Sequence, residues 1–130
     1  MREPMKVIFI VGPDESNEAA ADALRYKEIL AEKGEGRIGV FSVYDLFRGL
    51  EKMSYGYRRY LFGIFLRTTA SAILALPCWE KSEIAKDAVG YAKKYSAMEV
   101  FYPKLPDIDD KELRKAIGWG HAPWERTLKK

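Results

Sequence analysis

The stretch Ser71-Ala72-Ile73-Leu74-Ala75-Leu76, closed by Pro77, decides the fold. After Ser71 it is wholly apolar, it has strand length, and a chain breaker ends it. A strand apolar on both faces belongs in the interior of a parallel sheet. Toward the N-terminus, Lys6 to Val11 reads KVIFIV, a β-branched and aromatic strand that stops at Gly12-Pro13. Arg37 to Val43, RIGVFSV, gives another short strand, and Glu99 to Tyr102 gives a fourth, closed by Pro103.

The segments between these strands read as helices. From Glu18 to Lys33, Ala19, Ala23, Tyr26 and Leu30 recur on one face. Asp14, Ser16 and Asn17 offer N-caps, and Gly34 offers a stop. Tyr44 to Thr69 is helical but broken. Leu46, Leu50 and Met53 form a stripe, Ser54 to Gly56 interrupts it, and Tyr57 to Leu66 resumes. Lys81 to Tyr95 is the next helix, with Ile84, Ala88, Tyr91 and Tyr95 expected on its core face. Asp109 to Ile117 is a short final helix, and the tail from Gly118 carries Trp119, His121 and Trp124 without a period. Strands alternating with helices predict a parallel sheet with helices on both faces, hence an α/β fold. Ligands in such folds bind beyond the carboxyl ends of the strands. The loops to inspect are therefore 12–17, 42–45 and 77–82.

Composition agrees with one domain over residues 1–130, with 118–130 as a C-terminal tail. The chain has 130 residues, 48% hydrophobic, 13% aromatic and 32% charged, a balance that excludes disorder. Its 22 basic and 19 acidic residues are interleaved and leave a net charge of +3, which permits an anionic ligand but is no nucleic-acid footprint. One cysteine, Cys78, excludes intrachain disulfides and cysteine-cluster metal sites, and a reducing cytoplasmic setting fits it. No targeting segment is expected, because Val7 to Val11 is too short for a signal-peptide core. Tyr60 to Trp79 has spanning length, but Arg67 near its middle costs about 3 kcal/mol in a bilayer. A buried helix end followed by a buried strand is expected there, with no membrane partner.

The motifs narrow the chemistry. Gly34, Gly36 and Gly39 spell a glycine-rich dinucleotide fingerprint, but they follow a helix and enter a strand, the reverse of what phosphate binding needs. Phosphate-loop, nucleophile-elbow and paired metal-histidine motifs are absent, and His121 is the lone histidine. The informative segment is Leu76-Pro77-Cys78-Trp79-Glu80-Lys81-Ser82. It places an indole and a carboxylate at the end of a central strand and a serine at the start of a helix. The indole there either stacks on a flat ring or covers the sheet edge, and the serine either helps hold an anion or merely caps.

Gly12-Pro13 after the first strand, with Ala72, Ile73, Leu76, Pro77, Trp79, Glu80, Ser82 and Ala85, resembles the nucleoside 2-deoxyribosyltransferase superfamily, in particular its small bacterial and phage-type members. The likeness covers roughly Met5 to Pro103. It implies a flavodoxin-like three-layer sandwich with a parallel sheet of four or five strands. It also implies a pocket for a nucleoside or nucleotide near Gly12, Pro13, Asp14, Trp79, Glu80 and Ser82. In active members a carboxylate attacks the anomeric carbon and expels the base, and an acceptor then takes the sugar. Neither a cofactor nor a metal is expected, and members commonly assemble as homo-oligomers.

The departures are specific. Cys78 and Ile84 stand where the superfamily has glycine, Ser71 where aspartate is common, and Arg58-Arg59 is followed by Tyr60. Ala88 stands where the nucleophilic glutamate belongs. Glu83 and Asp87, four apart on one helix flank, are the candidate substitutes. Their repulsion either tunes an acid–base pair or leaves two solvated carboxylates. Arg58 and Arg59, beside Tyr55 and Tyr57, either clamp a phosphate and a base or form a subunit contact. The expected activity is nucleoside or nucleotide binding, with cleavage or transfer of an N-glycosidic bond if a carboxylate serves. The alternatives are a non-catalytic nucleotide sensor or sequestering protein, and an interaction module using Trp119 and Trp124.

Overall fold

The computed structural model describes residues 6–13, 16–48, 50–95 and 98–120. The first strand, β1 (Lys6–Val11), is followed by α1 (Asn17–Lys33), β2 (Ile38–Ser42), α2 (Val43–Phe47), α3 (Tyr55–Thr69) and β3 (Ala72–Ala75). A single 3-10 turn, Trp79–Lys81, leads into α4 (Glu83–Tyr95), then β4 (Glu99–Phe101) and α5 (Lys111–Trp119). The four strands pair in the order β2-β1-β3-β4, every pair parallel. This is a flavodoxin-like α/β sandwich, with four strands among the described residues.

The strand alternation builds two cores. Ile8 and Ile10 of β1, with Ala72 and Leu74 of β3, face a layer made by Ala23, Tyr26 and Leu30 of α1 and Leu113 of α5. Phe9 and Val11, with Ile73 and Ala75, face Phe62 and Leu66 of α3 and Ile84, Ala88 and Val89 of α4. Successive strand residues point to opposite faces, so a strand that must satisfy both layers has to be apolar throughout. Ile8, Phe9, Ile10 and Val11 are all fully buried. Each such side chain contributes roughly 1.5–3 kcal/mol when removed from water.

Local chemistry sets the helix ends. The Ser16 hydroxyl accepts from the Ala19 amide and starts α1. Gly34 ends it, but not through a left-handed backbone: its φ is −78°, and Glu35 and Gly36 take the positive angles, 54° and 75°. Gly34 is needed for close approach, because a Cβ there would stand 2.5 Å from the Leu30 carbonyl oxygen. Asp110 caps α5 and ties down the loop before it. Its carboxylate accepts from the backbone amides of Lys104, Leu105, Glu112 and Leu113.

The expected helix after β2 is much shorter than its pattern. Ser42 and Asp45 form a capping box, yet α2 ends at Phe47, so Leu50 and Met53 do not continue its stripe. The start of α4 also moves. Residues 79–81 tighten into the 3-10 turn because Ser82, not a residue before Lys81, is the cap. Its buried face is Ile84, Ala85, Ala88, Val89 and Ala92, which leaves Tyr91 half-buried at one flank. The side chain of Tyr95 lies outside the described residues. Helix α5 runs two residues beyond the expected Ile117, to Trp119.

Candidate functional site at the carboxyl edge of the sheet

Strand order fixes where a site can form. The chain leaves β1 for β2 on one side, then crosses back to β3 on the other. The carboxyl ends of β1 and β3 therefore diverge into loops that run opposite ways, the place where open α/β sheets hold ligands. The Leu76 amide donates to the Val11 carbonyl across this gap at 2.9 Å. Gly12 is required there, since a Cβ would sit 2.7 Å from the Tyr44 hydroxyl oxygen and 3.0 Å from Leu76 Cδ1. The Tyr44 hydroxyl donates to the Pro13 carbonyl at 2.8 Å and pins the loop after β1.

The loop after β3 turns sharply. Cys78 adopts a left-handed backbone, φ 67° and ψ 21°. A non-glycine residue there carries strain of about 1 kcal/mol, a physical reason for the glycine expected by resemblance at this position. The turn closes with Trp79 N–H donating to Leu76 O at 3.1 Å and Ser82 N–H donating to Trp79 O at 3.0 Å. Ser82 is buried, and its hydroxyl accepts from the Ala85 amide at 3.1 Å, so it caps α4. Trp79 is half-buried against the α3–α4 core, with its ring centroid 6.2 Å from Tyr102. Glu80 is exposed.

Gly12, Pro13, Trp79, Glu80 and Ser82 thus belong to the loops at one edge of the sheet. Asp14 lies outside the described residues. Tyr44, within the 42–45 loop, and Tyr102 join this edge, though neither was named as a site residue from the sequence. Each lies just past the carboxyl end of a strand, β2 and β4 respectively, and that position is the signal that could have found them.

The remaining candidates divide between the two flanks of α3. Arg59 forms a bidentate pair with Asp87 through Nε and Oδ2 and through Nη2 and Oδ1, the latter at 2.7 Å. The same Nη2 lies 3.9 Å from Glu83 Oε2, and Lys86 Nζ lies 2.7 Å from Glu83 Oε1. The hydrogen bond and the charge of Asp87 hold the Arg59 guanidinium above its ordinary pKa. The Arg59 guanidinium thus stands between the two carboxylates, paired with Asp87 and within 3.9 Å of Glu83. Ala88 is fully buried, so no side chain projects from the nucleophile position.

Arg58 points away from Arg59, as consecutive helix residues must. It stacks over the Tyr55 ring at 5.7 Å and lines a hollow of about 270 Å³ between α2 and α3, with Leu46, Leu50 and Leu61. A second hollow, about 380 Å³, runs between α3 and α4 past Gly56, Arg59, Tyr60, Gly63, Asp87 and Tyr91. Trp79 lines neither hollow. The two arginines therefore do not form one clamp.

Trp119 packs on its own domain. Lys6 Nζ donates to its carbonyl at 2.7 Å and lies 4.9 Å from its ring centroid, and Phe101 meets the ring edge-on. His121 and Trp124 lie outside the described residues. Among the described residues no helix is long and apolar enough to cross a membrane, and no cluster of acidic, histidine or cysteine side chains is arranged to hold a metal ion. No family model matches this chain, and no curated protein and no solved structure shows significant similarity to it.

Proposed function

We propose that this chain is a cytoplasmic nucleoside- or nucleotide-binding protein that holds its ligand at the carboxyl edge of the sheet without cleaving it. The observation that carries the reading is the crossover between β1 and β3, which sets the Gly12-Pro13 loop beside the loop bearing Trp79. The half-buried indole leaves part of its ring at the surface, where a base would stack. Glu80 is exposed next to it and suits the hydroxyls of a sugar, while the N-terminus of α4 favours an anionic group. Binding is preferred to turnover because Arg59 engages both Glu83 and Asp87 and because Ala88 is buried.

Calorimetric titration with a panel of nucleosides and nucleotides tests this. A member of the panel should bind, and Trp79→Ala should weaken it about tenfold or more, as loss of a base-stacking ring does. Chromatography of the same mixtures should show no released base. Equal affinity in Trp79→Ala would remove the site, and released base that Glu83→Gln abolishes would restore the catalytic reading.

A further inference from the structure

Tyr44 is held from more sides than its place near a strand end requires. It stands in the first turn of α2 and packs against both cores at once. The cap of α2 fixes its backbone. The Ser42 hydroxyl accepts from the Asp45 amide at 3.1 Å, and Asp45 Oδ2 accepts from Lys27 Nζ of α1 at 3.2 Å. A ring packed against both layers cannot turn without opening one of them. Its hydroxyl is therefore a donor fixed in space, and it donates to the Pro13 carbonyl at 2.8 Å.

The same ring accounts for Gly12. A Cβ there would meet the Tyr44 hydroxyl oxygen at 2.7 Å and Leu76 Cβ at 3.1 Å, so the space over Gly12 is filled by this chain's own side chains. Sheet order then sets the flanks. With β1 between β2 and β3, the Gly12-Pro13 loop has Tyr44 on one side and the turn bearing Trp79 on the other. We infer, given the binding reading above, that Tyr44 is the positioning residue of the site. It holds the Gly12-Pro13 loop beside Trp79 before a nucleoside or nucleotide arrives, and its hydroxyl acts through that loop. A loop already in its binding position loses less freedom on binding. A freed loop lowers the apparent affinity by the fraction of chains in which it remains in place.

Tyr44→Phe isolates the hydroxyl, because the ring keeps its packing. Calorimetry with adenosine, guanosine, cytidine, uridine and their monophosphates tests the role, alongside melting curves and NMR relaxation dispersion. The variant should keep the circular dichroism of wild type. It should bind the probes that wild type binds about three- to tenfold more weakly, the effect of one hydrogen bond. Gly12 should exchange between states on the microsecond-to-millisecond scale in free Tyr44→Phe and not in free wild type, and a saturating probe should quench that exchange. Unchanged affinity, or a Gly12 as still as in wild type, would overturn the positioning role and leave the binding reading standing. So would a lower melting temperature with both of these unchanged, the mark of a merely structural bond. No binding of any probe to wild type would overturn the binding reading and the positioning role together.

Discussion

The two layers that cover the sheet are built to different ends. On the α1–α5 side the inner face is closed, although Leu24 of α1 stands 55% exposed. Tyr26 is 1% exposed, Leu30 and Leu113 are fully buried, and a Cβ at Gly120 would stand 2.3 Å from Ile38 Cγ1. Burial, with Asp110 and Asp22 nearby, pushes the Tyr26 phenol well above its usual pKa, and its hydroxyl has no hydrogen-bond partner among the described residues. On the α3–α4 side the inner face packs as tightly, yet the outer face leaves two hollows and a ridge of tyrosines. The first layer closes one face of the sheet. The second holds the sheet and also presents a surface.

The sharpest way to break this contrast is to cut into the closed layer. Leu30→Ala should cost about 2–5 kcal/mol, read from denaturant unfolding, because the surrounding core cannot collapse into the cavity. Loss below about 1 kcal/mol would mean that the layer is looser than described.

A matched pair of glycines sharpens the same point. Gly120→Ala should destabilise by about 1–3 kcal/mol through the clash with Ile38. Gly63→Ala should instead stabilise the monomer by up to about 1 kcal/mol, since nothing opposes its Cβ. The same sign for both would erase the distinction between the layers.

Asp110 tests the cap that locks α5 in place. Burial tends to raise its pKa, but the four backbone N–H groups outweigh burial and hold it below the ordinary aspartate value. A depressed folded-state pKa means stability that is present above about pH 4, the unfolded value, and lost as pH falls through the folded value. Asp110→Ala should therefore cost about 1–2 kcal/mol at neutral pH, with a gap to wild type that narrows in acid. Melting curves from pH 7 down to pH 3 would show it. A gap independent of pH would mean that the carboxylate charge is irrelevant to the cap.

The smallest effect concerns the site loop. Cys78→Gly should stabilise by about 0.5–1 kcal/mol by relieving the left-handed backbone. A destabilised variant would show that the Cys78 side chain makes up for its own strain.

The two central strands, β1 and β3, were legible because each must satisfy two cores. After Lys6 and Ser71, KVIFIV and SAILAL are apolar for that reason, and the alternation of strands with helices gave the fold class. The fold's edge was legible too, through Gly12-Pro13 and Pro77, since prolines and glycines punctuate strand ends. Tyr44 and Tyr102 were harder to see, because their role arises from which loops the sheet order brings together. The extent of α2 was misjudged because Leu46, Leu50 and Met53 have helical spacing even though the chain has already turned. For Glu83 and Asp87, spacing left open either an acid–base pair or two solvated carboxylates. Spacing along α4 carries no information about α3, and the cation that both carboxylates meet is Arg59, twenty-four residues earlier than Glu83.

Backbone amide chemical shifts during nucleotide titration would test the site most directly. The account predicts that the largest changes fall at Gly12, Trp79, Glu80 and Glu83, around the carboxyl ends of β1 and β3. Changes confined to Tyr60, Gly63 and Tyr91 along the α3–α4 hollow, or none with any nucleoside or nucleotide, would contradict it.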